Sequence, residues 1–263
     1  MRASVIIPVL NEIDYIEACL LSVIQNTACF KDIEILLIDG GSADGTIDII
    51  NKYVANYKNI YLFSNSKKIT PAALNIGIIN SKGEYIIRLD AHAIYTSNYI
   101  DNCISELDES DEDIVNVGGV IITKPSTDSL IAKTISIVLS SPIGVGNSHF
   151  RISKSDAKKK FVETVPFGCF RKSIFDEIGL FNEDEHRNED LELNNRILKS
   201  GKKILCNQEI ISIYFSRDTL HSFIAQAIDN GFIVTNKFRG EASFHNLRHF
   251  VPLFFTIFFI LSI

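Results

Sequence analysis

Residues 33–46 read IEILLIDGGSADGT and contain the pattern that decides the fold. Five of the first six residues are apolar, which is typical of a strand buried on both faces of a parallel sheet. Asp39 ends the run, a glycine-containing turn follows, and Thr46 begins an amphipathic segment that we predict to be a helix as far as residue 57. A buried strand, a turn and a helix together form the repeating unit of a parallel α/β sheet.

The same alternation continues on both sides of this stretch. Apolar runs predict further strands at residues 3–8, 60–64, 85–89 and 114–122, and helical spacing predicts helices at residues 13–27, 71–80 and 96–107. This order predicts an α/β fold with a mostly parallel sheet and helices on both faces. The second half is less regular, and there we predict a long loop at residues 141–165 and helices at residues 172–178 and 189–200. Lys158–Lys160 within the loop is either a solvated face or a contact for anionic lipid.

Composition excludes several classes of protein. The chain has 263 residues, of which 46% are apolar and 22% charged, so it can form a packed core and is not disordered. Its net charge of −6, without a long basic stretch, argues against a nucleic-acid partner. The five cysteines are an odd number and form no C-x-x-C pair, which argues against a disulfide framework and a structural zinc site.

The C-terminal part of the sequence predicts contact with a membrane. Residues 219–239 carry one apolar stripe that would either cover the sheet or lie in the membrane interface. Residues 250–263 read FVPLFFTIFFILSI, and as a helix this uncharged run spans about 21 Å, less than the ~30 Å hydrocarbon core. We expect a membrane segment that is cut short or lies partly in the interface; the alternative is a buried core helix. Basic residues precede the run, so the domain before it is expected to face the cytoplasm.

The sequence therefore predicts three regions: an α/β domain at residues 1–215, an amphipathic helical segment at residues 216–249, and the apolar segment at residues 250–263.

Polar residues follow three of the predicted strands. Asn11 and Glu12 follow the first strand, Asp39 the second and Asp90 the fourth. Because ligands of parallel α/β sheets bind outside the carboxyl ends of the strands, we expect these side chains to meet at one site. The loop after Asp39 is neither G-x-G-x-x-G nor G-K-[ST], so the dinucleotide and P-loop fingerprints are absent. Asp39 would either bond a base or ribose, or simply form the turn.

Asp90 and His92 are candidate metal ligands. In an extended backbone residues i and i+2 point to the same side, which would aim a carboxylate and an imidazole at one point. That pair suits a divalent cation with open positions for phosphate oxygens, and imidazole favours Mn²⁺ over Mg²⁺. The alternative is that Asp90 only caps a turn.

Glu189 and Asp190 begin a predicted amphipathic helix. Acidic residues in a first turn favour the helix dipole, which is one explanation for them. The other is a general base, because one positioned carboxylate can take the proton of a hydroxyl group as that hydroxyl attacks.

Several segments together resemble the family 2 glycosyltransferases, which have the GT-A fold. The matching pieces are residues 5–12 (VIIPVLNE), 38–46 (IDGGSADGT), 72–77 (AALNIG), 82–85 (KGEY), 89–92 (LDAH) and 188–190 (NED). They occur in this order over residues 3–200. The D-A-H-A form and the apolar tail look most like the succinoglycan-synthesis type of bacterial exopolysaccharide glycosyltransferase.

The resemblance implies an inverting transferase with a nucleotide-sugar donor, expected to be a UDP-sugar, and a divalent cation, Mn²⁺ or Mg²⁺. Asp90 would contact the donor and, with His92, the metal; Lys68 would meet the diphosphate. Asp190 would be the catalytic base, with Glu189 beside it near the acceptor. The remaining residues implied to line the nucleotide pocket are Pro8, Asn11, Glu12 and Asp39.

The expected function is transfer of one sugar to a lipid-linked or glycan acceptor in cell-surface polysaccharide synthesis. The Q-x-x-R-W signature of processive synthases is absent, which favours single transfer over polymerisation. Two alternatives remain open: a transferase that loads a polyprenyl phosphate with one sugar, and a non-catalytic subunit that binds a nucleotide-sugar.

Overall fold

The computed structural model describes residues 1–141, 150–151, 158–185, 188–216 and 219–225. The apolar segment at residues 250–263, the basic residues before it and most of the stripe at residues 219–239 lie outside this range. Within it, no helix has the length and hydropathy needed to cross a bilayer.

The structure contains alternating strands and helices in its first half and mainly strands in its second. The strands are β1 Ala3–Val9, β2 Ile33–Asp39, β3 Ile60–Ser64, β4 Tyr85–Arg88, β5 Ala93–Tyr95, β6 Ile114–Pro125, β7 Lys159–Phe161, β8 Cys169–Arg171 and β9 Lys203–Ser216. The helices are α1 Ile16–Asn26, α2 Thr46–Asn56, α3 Thr70–Asn80, α4 Tyr99–Glu109, α5 Leu130–Leu139, α6 Ile174–Ile178 and α7 Glu189–Lys199.

The described strands form one sheet in the order β3-β2-β1-β4-β8-β6-β9-β5, with β7 paired to β9. Strands β3, β2, β1 and β4 are parallel to one another, as the alternating pattern predicts. All seven residues of β2 are buried, which agrees with its apolar sequence. Val9 lies opposite Asp39 in the pairing of β1 with β2, so the two strands end at the same level. The loops that follow them therefore begin at the same edge of the sheet.

The second half of the chain adds antiparallel strands to this parallel half. Strand β8 pairs antiparallel with both β4 and β6, and β9 pairs antiparallel with β5 and β7. The predicted α/β fold is confirmed, and the sheet is mixed because these later strands have the opposite direction.

Strands β5, β7, β8 and β9 are absent from the sequence-based prediction. Three of them have only three residues each, too few to show a periodic pattern. Strand β9 is long, but the polar residues 207–209 interrupt its apolar alternation. The predicted loop at residues 141–165 is wrong in part, because Lys159–Phe161 pairs with β9. Helix α4 begins three residues later than predicted, because residues 97 and 98 form a turn between β5 and the helix.

The lysine run at 158–160 is exposed, and two of its members form ion pairs. Lys158 pairs with Glu209 and Lys159 with the buried carboxylate of Glu106, both at 2.8 Å.

The chain divides into two compact units. The first comprises Met1–Ile122 and Ser153–Tyr214, and the second Thr123–Ile152 and Phe215–Ile263. The parallel strands and all residues of the site described below belong to the first unit.

Candidate active site

A cavity lies where β1, β2 and β4 end. Five of the residues singled out from the sequence line it, together with Arg88, which was not singled out: Pro8, Glu12, Lys68, Arg88, Asp90 and His92. Asn11 and Asp39 are not among its lining residues; Asn11 lies in the loop after β1, and Asp39 is the last residue of β2. The parallel arrangement of the strands therefore brings together side chains that are up to 84 positions apart in sequence, from Pro8 to His92.

The segment that carries Asp90 and His92 is a turn rather than an extended strand. Strand β4 ends at Arg88, and residues 91 and 92 form a turn before β5 begins. The Asp90 amide donates to the Tyr95 hydroxyl at 2.8 Å, and that hydroxyl donates to the Asp90 carbonyl at 3.1 Å. Tyr95 is 1% exposed, so the core fixes this turn. The extended geometry that the sequence suggested is wrong, yet both side chains line the same cavity.

Arg88 links the two acidic parts of the site. Its Nη2 lies 2.9 Å from Asp90 Oδ1 and 3.5 Å from Glu189 Oε1, and its guanidinium carbon lies 5.8 Å from the centre of the Phe167 ring. Burial opposes the guanidinium charge, but the neighbouring carboxylates, Asp90 foremost, outweigh it and raise the pKa of Arg88 above its usual value. Its Nε is buried and has no hydrogen-bond partner among the described residues.

Glu189 and Asp190 begin helix α7, as the sequence predicts. Glu189 is buried, whereas Asp190 is half-buried and accepts a hydrogen bond from the Leu191 amide at 2.8 Å. Burial raises the pKa of Glu189, Arg88 opposes that shift, and the charge of Asp190 adds to it. The two adjacent carboxyl groups thus differ in environment, and such differences separate the roles of acids and bases.

Glu12 contacts the imidazole of His92. Glu12 Oε1 lies 3.0 Å from His92 Nδ1, and the His92 ring also meets Tyr214 edge-on, with ring centres 5.8 Å apart. The side chains of Glu12 and His92 are 20% and 35% exposed, so both reach solvent in the cavity. A carboxylate that touches a histidine ring fixes which nitrogen carries the proton.

The Asp39 carboxylate holds its own loop. It accepts hydrogen bonds from the Gly41 amide at 2.7 Å and from the Ser42 hydroxyl at 2.6 Å. The Ser42 hydroxyl in turn accepts a hydrogen bond from the backbone amide of Asn11 at 2.9 Å. The side-chain Oδ1 of Asn11 accepts one from the backbone amide of Ala43, also at 2.9 Å. Gly41 has φ +90°, a conformation that favours glycine. Asp39 and Asn11 therefore shape the wall beside the cavity through these loop contacts.

Lys67 and Lys68 are directed differently although they are neighbours. Lys68 has φ +57° and lines the cavity, where its Nζ would lie 3.6 Å from a β-carbon built on Gly41. Lys67 instead pairs with Glu183, which also accepts from Asn75 Nδ2 at 3.0 Å. The loop that presents Lys68 is thereby tied to α3 and to the segment before α7.

The carboxylate of Asp90 and the imidazole of His92 fit as two ligands of a divalent cation that is also bound by a nucleotide. No group of three or more His, Cys, Asp or Glu side chains suited to a metal occurs in the part of the chain that the structure describes. One carboxylate and one imidazole suit Mn²⁺, with phosphate oxygens and water as further ligands. Asp90 Oδ1 contacts Arg88, so Oδ2 is the oxygen that this contact leaves for a cation.

Arg88, Tyr95 and Lys67 were not singled out from the sequence. The alternation in Arg88-Leu89-Asp90 would have placed Arg88 on the same side as Asp90, and this is the one signal that the sequence offers. The partners of Tyr95 and Lys67 depend on contacts between distant segments, which no local pattern shows.

Comparison with known proteins identifies the family. The chain matches the family model described as glycosyl transferase family 2 over residues 4–179. It is 31% identical over 234 residues to a dolichyl N-acetyl-α-D-glucosaminyl phosphate 3-β-D-2,3-diacetamido-2,3-dideoxy-β-D-glucuronosyltransferase of Methanococcus voltae, which covers 87% of this chain and 71% of the relative. It is 26% identical over 251 residues to the succinoglycan biosynthesis protein ExoA of Rhizobium meliloti, which covers 95% and 74%.

Solved structures share the fold. The mannosyltransferase PcManGT from Pyrobaculum calidifontis, in complex with GDP-Man and Mn²⁺, has a TM-score of 0.67 at 16% identity, covering 95% of this chain and 67% of that one. Staphylococcus aureus TarS in complex with UDP-GlcNAc has a TM-score of 0.62 at 15% identity, covering 84% of this chain and 60% of that one. At these identities the likeness shows the GT-A fold alone. Because the family model matches most of its length, the chain belongs to glycosyltransferase family 2 and is a glycosyltransferase.

Proposed function

We propose that the chain is an inverting glycosyltransferase that moves one sugar from a UDP-sugar to a lipid-linked or glycan acceptor in cell-surface polysaccharide synthesis. One observation carries this proposal: Arg88 joins Asp90, at the cavity expected to hold the donor, to Glu189 at the start of the helix that carries Asp190. Single displacement needs a donor site and a base held at a fixed separation, and the contacts of Arg88 support this proposal because they link the two segments that would provide them.

In the proposed reaction Asp190 accepts the proton of the acceptor hydroxyl. The hydroxyl oxygen forms a bond to the anomeric carbon as the bond from that carbon to the nucleoside diphosphate breaks, so the configuration inverts. Asp90 and His92 would hold a divalent cation, which neutralises charge on the leaving diphosphate. Lys68, which also lines the cavity, would bind the same diphosphate as a point charge.

The remaining residues of the site have supporting roles in this proposal. Pro8 and the loop that Asn11 and Asp39 hold would form the wall for the nucleoside. Glu189, buried beside Asp190, would lie near the acceptor.

A lipid-linked sugar is the proposed acceptor. The name of the Methanococcus voltae relative specifies a dolichyl phosphate that already carries a sugar. The name of the Rhizobium meliloti relative places that protein in succinoglycan biosynthesis. The first name supports extension of a lipid-linked sugar over loading of a bare polyprenyl phosphate, and the second supports a role in polysaccharide synthesis.

Membrane association, with the catalytic domain on the cytoplasmic side, is part of the proposal. The sequence of residues 250–263 and the basic residues before it support it. In the second unit, helix α5 also exposes four large apolar side chains, Leu130, Ile131, Ile137 and Val138. Exposed apolar surface of this kind suits a lipid interface.

A donor screen tests the first half of the proposal. Thermal unfolding of the purified chain is measured with UDP-, GDP- and dTDP-sugars, each with and without Mn²⁺. A ligand that binds only the folded state raises the unfolding temperature. We expect a UDP-sugar with Mn²⁺ to give the largest rise, and no rise with any nucleotide-sugar would contradict the proposal.

An acceptor assay tests the second half. The donor found in the screen is offered with a polyprenyl phosphate or with a polyprenyl-diphosphate-linked saccharide, and the lipid products are separated by mass. We expect one sugar to be added to the saccharide. Transfer to the bare phosphate would favour the loading alternative. If the protein neither transfers the sugar nor hydrolyses the donor, a binding subunit is favoured.

A further inference from the structure

We propose that Glu12 is a positioning residue for the metal ligand His92, and that it acts on the cation rather than on the nucleoside. Its carboxylate accepts a hydrogen bond from the Nδ1–H of the imidazole, so that Nε2 of His92 is the atom that binds the cation. This inference rests on the proposed cation site at Asp90 and His92, and it changes the role that the sequence suggested for Glu12.

The hydrogen-bond chemistry determines the tautomer. Glu12 Oε1 lies 3.0 Å from His92 Nδ1, within ordinary hydrogen-bond distance. An ionised carboxylate only accepts hydrogen bonds, so in this contact Nδ1 carries the hydrogen. A neutral imidazole protonated at Nδ1 has its lone pair on Nε2, which is then the ligating atom.

The backbone of Glu12 is fixed independently of its side chain. Its amide donates to Thr46 Oγ1 at 2.9 Å, and its carbonyl accepts from the amides of Tyr15 and Ile16 at 3.0 and 2.9 Å. These bonds anchor Glu12 to the first turns of α1 and α2. The backbone contacts thus fix the position from which the carboxylate reaches His92. Replacing the side chain leaves these contacts in place.

The imidazole is held on a second side as well. The Tyr214 ring meets it edge-on at 5.8 Å, and Tyr214 lies opposite Ala93 in the pairing of β5 with β9. Glu12 and Tyr214 lie far apart in the sequence and together restrict rotation of the ring. Such outer partners of metal-binding histidines typically change metal affinity 10- to 100-fold when they are removed.

The test separates metal binding from nucleotide binding. The 263-residue chain is titrated calorimetrically with UDP and with GDP, first in EDTA and then in Mn²⁺. Mn²⁺ is then titrated into the protein saturated with the nucleotide that binds. Glu12→Ala, Glu12→Gln and His92→Ala are compared with wild type. Glu17→Gln, which changes a carboxylate on α1 that contacts Tyr53, is the matched control.

We expect Glu12→Ala to raise the Kd for Mn²⁺ about 10- to 100-fold while the Kd for nucleotide in EDTA changes less than about twofold. Glu12→Gln should show a smaller increase, because its amide oxygen still accepts the Nδ1 hydrogen. In the His92→Ala background, Glu12→Ala should add nothing further. Glu17→Gln should resemble wild type.

Two results would overturn the inference. One is an unchanged Kd for Mn²⁺ in Glu12→Ala, and the other is an equal loss of nucleotide affinity with and without metal, which would make Glu12 a nucleoside contact. If the wild-type chain binds neither nucleotide, or binds one without any effect of Mn²⁺, the proposed donor or cation site itself is wrong. Thermal unfolding of each variant shows whether it is folded.

Discussion

The guanidinium of Arg88 lies 2.9 Å from the carboxylate of Asp90, two residues further along the chain. The Arg88 side chain is 14% exposed and that of Asp90 23%, so the pair is largely removed from water. The same guanidinium reaches Glu189, which is 101 residues away in sequence. One buried cation therefore compensates carboxylates from two distant segments of the site.

Replacing Arg88 should destabilise the fold strongly. Arg88→Met leaves the buried carboxylate of Glu189 and the partly exposed one of Asp90 without a counterion, and breaking a fully buried pair costs about 3–5 kcal/mol, which is the upper end of the expected loss. Arg88→Lys keeps the charge and should cost less. Arg2→Met is the control, because Arg2 also contacts two carboxylates but is exposed, and exposed pairs contribute at most about 1 kcal/mol. Urea unfolding measures all three, and equal losses in Arg88→Met and Arg2→Met would contradict the prediction.

Replacing Asp190 should remove catalysis and leave donor binding intact. Asp190→Asn cannot accept the acceptor proton, so we expect kcat to fall about 10²- to 10⁴-fold with little change in the KM for the donor. Glu192→Gln, on the same helix but paired with Arg196, should keep most of the activity. Steady-state transfer assays give both constants, and full activity in Asp190→Asn would rule out Asp190 as the base.

Glu189 should make stability depend on pH in a defined direction. Because burial raises its pKa in the folded state, the folded chain holds this proton more tightly than the unfolded chain. The resulting stability is fully present below the unfolded pKa and is lost as the pH rises through the folded pKa. Glu189→Gln removes this loss. Urea unfolding from pH 4 to pH 8 should therefore show that the free energy of unfolding of the variant increases relative to that of wild type as the pH rises. The opposite trend would show that Arg88 outweighs burial.

Lys68 and Lys67 form a matched pair for testing the diphosphate contact. Lys68→Met should weaken UDP binding about 10- to 100-fold, since a hydrogen bond to a charged group contributes about 1.5–3 kcal/mol. Lys67→Met should change it little, because Lys67 is directed to Glu183. Calorimetry with UDP decides between them. Equal effects of the two variants would mean that the loop, and not the Lys68 amine, determines affinity.

The apolar face of α5 should contribute to lipid binding. Leu130 and Ile137 are 81% and 68% exposed, and replacing both by Asp should lower the partition of the chain into phosphatidylcholine vesicles. Thr134→Asp is the control, because it adds a charge to the same helix at an exposed polar position. Vesicle sedimentation measures the bound fraction. Unchanged binding of the double variant would exclude α5 from the lipid contact.

The parallel half of the fold was predictable because its signals are local. Strands β1 to β4 are short apolar runs bounded by turns, and their observed bounds lie within one or two residues of the predicted ones. The antiparallel strands were not predictable in the same way. Strand β8 has three residues, and its place between β4 and β6 depends on partners more than 50 residues away.

The sequence by itself determined the family, the positions and parallel direction of the first four strands, and four of the five ionisable side chains that line the cavity, all but Arg88. It did so because apolar runs, turn residues and strand ends are encoded within a few neighbouring positions. Only the tertiary structure decided how those side chains are paired. Glu12 reaches His92, Arg88 joins Asp90 to Glu189, and Lys67 but not Lys68 is directed to Glu183. Each pairing depends on the register of strands and the packing of segments far apart in sequence, which no local pattern contains.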